Sequence, residues 1–236
     1  MIRIITDFDG PIMDVSERYY RVYQFCLEAV QQPGQSLTVL SKPQFWQLKR
    51  SQIPERQIGL MSGLDEVQAH TFAQLRRQIV HTLPYLKYDT PVEGAIATLE
   101  RLYQSKVDLV VMTLRRVREL QDAFDRHDLA RFFASDRRYC LSNDYVKTTD
   151  VEDKPLLMQQ ALADLTPVDQ TWMIGDTEAD IIAAKTHGIK VIAVLCGIRD
   201  RTQLLQHQPD WIVNNVGEAV DLAMQLSPET SLGYRG

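Results

Sequence analysis

Apolar positions along this chain recur with two alternating periods. Ile2 to Ile5 form a short, mostly β-branched run ended by Asp7 and Gly10, the pattern of a buried strand followed by a turn. From Val15 the period lengthens, and Val15, Tyr19, Val22, Tyr23, Cys26, Leu27 and Val30 share one helical face that closes before Pro33 and Gly34. A second helical stretch surrounds Phe45, Trp46 and Leu48, a short one follows Pro54, and Val67, Thr71, Leu75, Ile79 and Leu83 mark another. Residues 15–88 therefore read as all-helical. Beyond Pro84 and Pro91 helices and strands alternate, with a helix at Ile96, Leu99 and Leu102 and strands at 107–112, 139–141, 171–174, 190–195 and 211–213. Helices are expected near Phe124 and at 154–165, 179–186 and 216–226, and the tail 228–236 carries no pattern and reads as loose.

This rhythm predicts an α/β fold: a Rossmann-like, three-layer core with a parallel sheet, formed by residues 1–14 and 89–227, interrupted by an all-helical cap over 15–88. Composition agrees with a packed globular protein, since 44% of the 236 residues are hydrophobic and 24% charged. The net charge of −5, with no strong basic patch, argues against nucleic acid as a partner. Cys26, Cys140 and Cys196 are far apart and lack zinc-ligand spacing, so neither a disulfide scaffold nor a zinc site is expected. The apolar start is too short for a signal peptide or a membrane span, which points to the cytoplasm and to no membrane association.

Ligands of parallel α/β sheets bind beyond the carboxyl ends of the strands. The polar residues there are Asp7 and Asp9 after the first strand, Thr113 after the second, and Asp176 and Asp180 after the strand ending at Ile174. Lys154 is read as opening a helix behind Asp150, Glu152 and Asp153. Carboxylates gathered in one crevice repel one another unless a cation lies between them, and an oxygen set that leaves room for water suits Mg²⁺. With a lysine beside it, such a cation makes a place for a phosphoryl group. Backbone N–H groups of the turn Phe8, Asp9 and Gly10 would add donors, and a carboxylate there can act as nucleophile.

On these residues the sequence resembles the haloacid dehalogenase superfamily, in its phosphoglycolate phosphatase-like subgroup with a helical cap after the first motif. DFDGPIMD at 7–14, VVMT at 110–113, DKPLL at 153–157 and MIGDTEAD at 173–180 stand in the family's order. The resemblance implies a Mg²⁺-dependent phosphatase that hydrolyses a small phosphorylated metabolite through an aspartyl phosphate, as a monomer or homodimer. It implies Asp7 as nucleophile, Asp9 as general acid and base, Thr113 as a hydrogen-bond donor to the phosphoryl oxygens, and Lys154 as neutraliser of charge. Phosphate contacts would come from Phe8, Asp9, Gly10, Thr113, Leu114, Arg115 and Lys154. The metal would be held by Asp7, Asp9 through its carbonyl, and Asp176, with Asp180 steadying the same site. A phosphomutase and a catalytically silent phosphate-binding protein are the alternatives.

Pro11 replaces the family's usual Thr, and Leu114 stands where a polar residue is common. A dehalogenase is disfavoured by Asp9, a phosphonatase by the absence of lysine from residues 15–32, and a receiver module by length and topology. Read without the resemblance, Arg115, Arg116 and Arg118 are better explained as a solvated charged face than as substrate contacts, and none of the five histidines is given a role. Phe45 and Trp46 are expected to pack the cap, with specificity drawn from cap residues around Tyr19, Tyr20, Tyr23 and Arg50.

Overall fold

The computed structural model describes residues 1–105 and 107–227, so the tail expected to be loose lies outside the described residues. In chain order the elements are β1 (Ile2–Thr6), β2 (Met13–Asp14), α1 (Ser16–Val30), α2 (Lys42–Arg50), α3 (Glu55–Met61), α4 (Glu66–Ile79), α5 (Leu83–Leu86) and β3 (Thr90–Pro91). They continue as α6 (Ala95–Tyr103), β4 (Asp108–Arg116), α7 (Val117–His127), β5 (Arg138–Leu141), α8 (Asp150–Asp164), β6 (Gln170–Gly175) and α9 (Glu178–Thr186). The chain closes with β7 (Lys190–Val194), α10 (Arg201–Gln206), β8 (Trp211–Val213) and α11 (Val216–Gln225).

Six strands form one parallel sheet in the order β5-β4-β1-β6-β7-β8. Strands covered on both faces are apolar throughout, and their side chains alternate between the two layers. Ile4, Val111 and Ile174 join α6, α7 and α11 on one face, whereas Ile5, Val110 and Met173 join α8, α9 and α10 on the other. Arg3 interrupts the apolar run yet remains buried, because its guanidinium reaches Asp108 of β4 at 2.7 Å and the carbonyl of Thr166 at 2.7 Å. A buried charge is tolerated where it is paired and hydrogen-bonded.

Between β1 and its neighbours the strand order reverses: the chain reaches β4 and β5 on one side, then crosses to β6 on the other. That reversal opens a crevice at the carboxyl ends of β1, β4 and β6. The helices α1 to α5 are inserted there, between β2 and β3, which pair antiparallel through Met13 with Pro91 and Asp14 with Thr90. The inserted helices surround an apolar cluster of their own, including Val22, Tyr23, Leu27, Phe45, Ile58 and Phe72. Phe45 is fully buried in it and Trp46 packs against it, as expected. No helix among the described residues is long and apolar enough to cross a membrane.

Two boundaries differ from the sequence expectation in ways that matter for the site. The apolar run ends at Met112, but β4 continues to Arg116 because Thr113 and Arg115 are buried at its end by polar partners rather than by solvent. The helix α8 begins at Asp150, so Lys154 lies in its second turn rather than at its start. Asp150, Glu152 and Asp153 occupy the first turn, where carboxylates match the positive end of the helix dipole.

Candidate active site

Asp7 directly follows β1, and its N–H donates to the carbonyl of Ile174 at 2.8 Å, fixing the residue between β1 and β6. Lys154 Nζ stands 2.8 Å from Asp7 Oδ2 and is also ion-paired with Asp180. Asp180 occupies the third position of α9, where it closes a capping box with Thr177. Its Oδ2 accepts from the N–H groups of Asp176 and Thr177 at 3.1 and 3.0 Å, and from the Thr177 hydroxyl at 2.7 Å. Asp176 in turn accepts from the N–H of Ile198 at 2.7 Å.

Carboxylate oxygens of Asp7, Asp176 and Asp180 lie within 4.8 Å of one another, and all three residues are buried. Burial raises the Asp7 carboxyl to about 7, with Asp180 adding to the rise against the pull of Lys154. Asp176 is pushed well above the usual carboxylate range by burial and by the charges of Asp7 and Asp180. Burial works against the charge of Lys154, yet Asp180 and Asp7 outweigh it and hold its proton firmly. One ammonium thus faces three carboxylates. Asp176 Oδ1 is buried with no partner. This donor set, all oxygen and in excess of its counter-charge, fits a hard divalent cation.

The backbone is shaped to admit those carboxylates. Gly10 has φ +93°, a conformation that side-chain-bearing residues rarely adopt, and a Cβ there would stand 2.2 Å from Asp176 Cγ. At Gly197 a Cβ would stand 1.9 Å from Asp176 Oδ2. Gly10 therefore serves the site by having no side chain. Its N–H is engaged with the carbonyl of Met13 at 2.8 Å, which corrects the expectation that it faces a phosphate. The Phe8 N–H donates to Asp7 Oδ1 at 2.7 Å, while the Phe8 ring is buried 5.7 Å from that of Phe124.

Asp9 belongs to a second group of charges. Arg115 Nε donates to its Oδ1 at 2.8 Å, and Arg18 Nη2 of α1 donates to its Oδ2 at 2.9 Å. Both guanidiniums also meet Asp89, Arg18 Nε at 3.1 Å from Asp89 Oδ1 and Arg115 through an ion pair. Arg18, Asp89 and Arg115 are essentially inaccessible to solvent. Burial alone would raise Asp9, but Arg115 and Arg18 outweigh it and hold the carboxyl well below the usual range. Both guanidinium contacts favour the ionised form of the Asp9 carboxyl. Arg115 is also not part of a solvated face: two of its nitrogens hold Asp9 and Asp89, and its guanidinium carbon lies 5.0 Å over the Phe8 ring. Arg116 donates to the carbonyls of Asn143 and Tyr145 at 3.1 and 2.9 Å, and Arg118 is exposed.

A cavity of about 380 Å³ lies between the sheet end and the inserted helices, and Asp9, Thr113, Leu114, Arg115 and Asp176 line it from the core side. Thr113 is buried, with its Oγ1 accepting from the Arg115 N–H at 3.2 Å. From the insertion, Tyr19 lines the cavity as expected, whereas Tyr20, Tyr23 and Arg50 do not. Tyr23 is buried among the helices with its hydroxyl 2.8 Å from Ser62 Oγ, and Arg50 donates to the carbonyls of Leu195 and Arg199 at 2.7 and 3.2 Å. Sequence reasoning missed Lys49, Arg76 and His81, which also line the cavity. His81 Nδ1 lies 3.4 Å from Arg18 Nη1.

Comparison with known proteins bears on this geometry. A family model described as HAD-hydrolase-like matches residues 153–219. A phosphoglycolate phosphatase of Pseudomonas fluorescens is 22% identical over 170 residues, covering 72% of this chain and 60% of the relative. The chain thus spans about three-fifths of that relative's length. A solved structure of a candidate phosphatase from Clostridium difficile superposes with a TM-score of 0.71 at 21% identity, covering 94% of this chain and 97% of the other. A hydrolase of the haloacid dehalogenase-like family from Streptococcus pneumoniae gives 0.67 at 22% identity, with 93% and 97% covered.

Proposed function

We propose that this chain, which belongs to the haloacid dehalogenase-like superfamily, is a Mg²⁺-dependent phosphatase that hydrolyses a small phosphomonoester through an aspartyl phosphate on Asp7. The observation that carries this reading is the buried set of Asp7, Asp176 and Asp180 around Lys154 at the strand ends, one carboxylate oxygen of which has no partner. Relatives named phosphoglycolate phosphatase support the class of reaction.

Asp7 and Asp176, with the carbonyl of Asp9, would hold Mg²⁺, which when bound supplies electrostatic stabilisation to the phosphoryl oxygens. Asp7 attacks phosphorus as the ester P–O bond breaks, and the departing alkoxide takes a proton from Asp9. Water then attacks the acyl phosphate, giving a proton to Asp9 as the P–O bond to Asp7 breaks and the carboxylate is restored. Lys154 balances the charge on Asp7 throughout, and the Thr113 hydroxyl donates to a phosphoryl oxygen.

Loosening of its arginine contacts would raise the proton affinity of Asp9. Since Arg18 is carried by α1, movement of the helical insertion, acting as a cap over residues 15–88, changes the proton affinity of Asp9. The same insertion restricts the cavity to small esters and keeps water from the first step.

The test is phosphate release from a panel of phosphomonoesters, with and without Mg²⁺, by the wild type and Asp7→Asn. Mg²⁺-dependent release that disappears in the variant supports the reading. Release that persists in Asp7→Asn overturns the covalent step, and binding of esters without any release favours a phosphate-binding role.

A further inference from the structure

Residues 195–200, between β7 and α10, shape one side of the acidic cluster. The N–H of Ile198 donates to Asp176 Oδ2 at 2.7 Å, and a Cβ at Gly197 would stand 1.9 Å from the same oxygen. The Cys196 thiol donates to the carbonyl of Gly10 at 3.2 Å, in the turn that follows β1. Asp176 Oδ2 is therefore held by this loop, while Oδ1 has no partner. The direction in which Asp176 presents its free oxygen depends on the course the loop takes.

That course is fixed from the inserted helices. Arg50 ends α2, and one nitrogen of its guanidinium, Nη2, donates to the carbonyls of Leu195 and Arg199 at 2.7 and 3.2 Å. A single group gripping two carbonyls four residues apart draws the ends of the loop together, with Gly197 and Ile198 between them against Asp176. The Asp200 N–H donates back to the Arg50 carbonyl at 3.1 Å, and Ser51 Oγ donates to Asp200 Oδ2 at 2.8 Å. Gln52 adds a contact on the other side of the site, its side-chain amide donating to Glu178 Oε1 in the first turn of α9 at 3.0 Å. Its backbone stands at φ +58°, a turn that glycine makes at less cost, and a glycine there would lack the amide contact. The insertion is joined covalently to the core next to β2 and β3, and this turn is a second, non-covalent attachment.

We propose that Arg50 is a positioning residue for the cation site: by clamping both ends of residues 195–199 it sets the orientation of Asp176, so that docking of the turn between α2 and α3 and binding of the cation strengthen each other. The assignment of Asp176 as a ligand rests on the phosphatase reading above. Neither Arg50 nor Ser51 lines the cavity, so they act through the loop and not by touching a substrate. The coupling is reciprocal: what the docked turn adds to cation affinity, the cation adds to the docking of the turn.

The test is calorimetric titration with Mg²⁺ of the wild type, Arg50→Met and Ser51→Ala. Arg56→Met is the control, because Arg56 of the same insertion pairs with Glu66 at the surface. Loss of an outer partner of a metal ligand weakens binding by about tenfold to hundredfold, and Arg50 acts one step further out, so Arg50→Met is expected to bind Mg²⁺ about tenfold more weakly. Ser51→Ala removes one hydrogen bond and is expected to weaken it about two- to fivefold, and the control leaves it unchanged. Hydrogen exchange of the Mg²⁺-free proteins supplies a second readout. Peptides from 195–200 exchange faster in Arg50→Met, whereas those from β1 do not. Mg²⁺ slows exchange at residues 50–53 of the wild type but not of Arg50→Met. If β1 loosens as much as the loop, the substitution has cost general stability, and Ser51→Ala decides. Variants that keep wild-type Mg²⁺ affinity and loop protection overturn the positioning role and leave the phosphatase reading standing. A wild type that binds no Mg²⁺ is a different result, which removes the metal reading and the coupling together.

Discussion

Asp89 has no exposed surface, and it faces Arg18 at 3.1 Å and Arg115 in an ion pair. With Asp9 these residues make two carboxylates and two guanidiniums, a balanced set that ties α1 and the returning linker to the end of β4. Asp89→Asn removes one negative charge at constant volume and leaves two buried guanidiniums to share Asp9. Stripping one partner from a buried ion pair costs about 3–5 kcal/mol. The asparagine carbonyl still accepts one hydrogen bond, so the lower figure of about 3 kcal/mol applies. In a chain of this size each kcal/mol moves Tm by about 2–4 °C, giving a drop of roughly 6–12 °C. Differential scanning calorimetry near neutral pH measures it, with Asp136→Asn as control, since Asp136 is 73% exposed where it pairs with Arg137. Exposed pairs contribute little, so the control leaves Tm essentially unchanged. A drop in Asp89→Asn no larger than that of the control would refute the balanced-network argument.

Other consequences follow from the same geometry. Asp7→Asn is expected to lower phosphate release by about 10⁴-fold or more while keeping the native circular dichroism spectrum, since it removes the nucleophile at nearly constant volume. Gly10→Ala would set a Cβ 2.2 Å from Asp176 Cγ at φ +93°, and calorimetry should show lower stability by about 1–3 kcal/mol together with weaker Mg²⁺ binding. Without a cation, the rise of Asp7 from 3.8 to about 7 means that the folded chain holds a proton the unfolded chain has released between those values. Metal-free stability therefore declines as pH rises through that window. Mg²⁺ binds the ionised carboxylates, so the stabilisation it confers should grow with pH as Asp7 and Asp176 lose their protons, reaching about 2.7 kcal/mol at a hundredfold excess over Kd. A gain independent of pH would contradict this assignment.

Much of the core was legible because its signals are local. Ile2 to Ile5 followed by Asp7, and the strand to Ile174 followed by Asp176 and Asp180, each pair an apolar run with polar residues at its carboxyl end. The parallel topology then carries these segments to one crevice, joined by Lys154. What escaped the sequence depends on packing between distant segments. Arg115 reads as a surface residue until Asp89, from the far side of the insertion, is brought against it. Arg18 lies on α1 among residues that alternate between core and solvent, and nothing local reveals that it reaches Asp9. Arg76 and Lys49 come from different helices and meet only through Glu55 of a third. The Gly10 N–H misled for the opposite reason, since the turn consumes it internally at the carbonyl of Met13.

Phosphoryl transfer to Asp7 is best tested by trapping the acyl phosphate. Protein turning over 4-nitrophenyl phosphate with Mg²⁺ is quenched in acid, reduced with borohydride and digested for peptide mass spectrometry. Reduction of an aspartyl phosphate leaves homoserine at the modified position. Homoserine at position 7, dependent on substrate and Mg²⁺, is the expected result. Phosphate release without reduction at that position, or with reduction at another aspartate, would contradict the assignment of Asp7 as nucleophile.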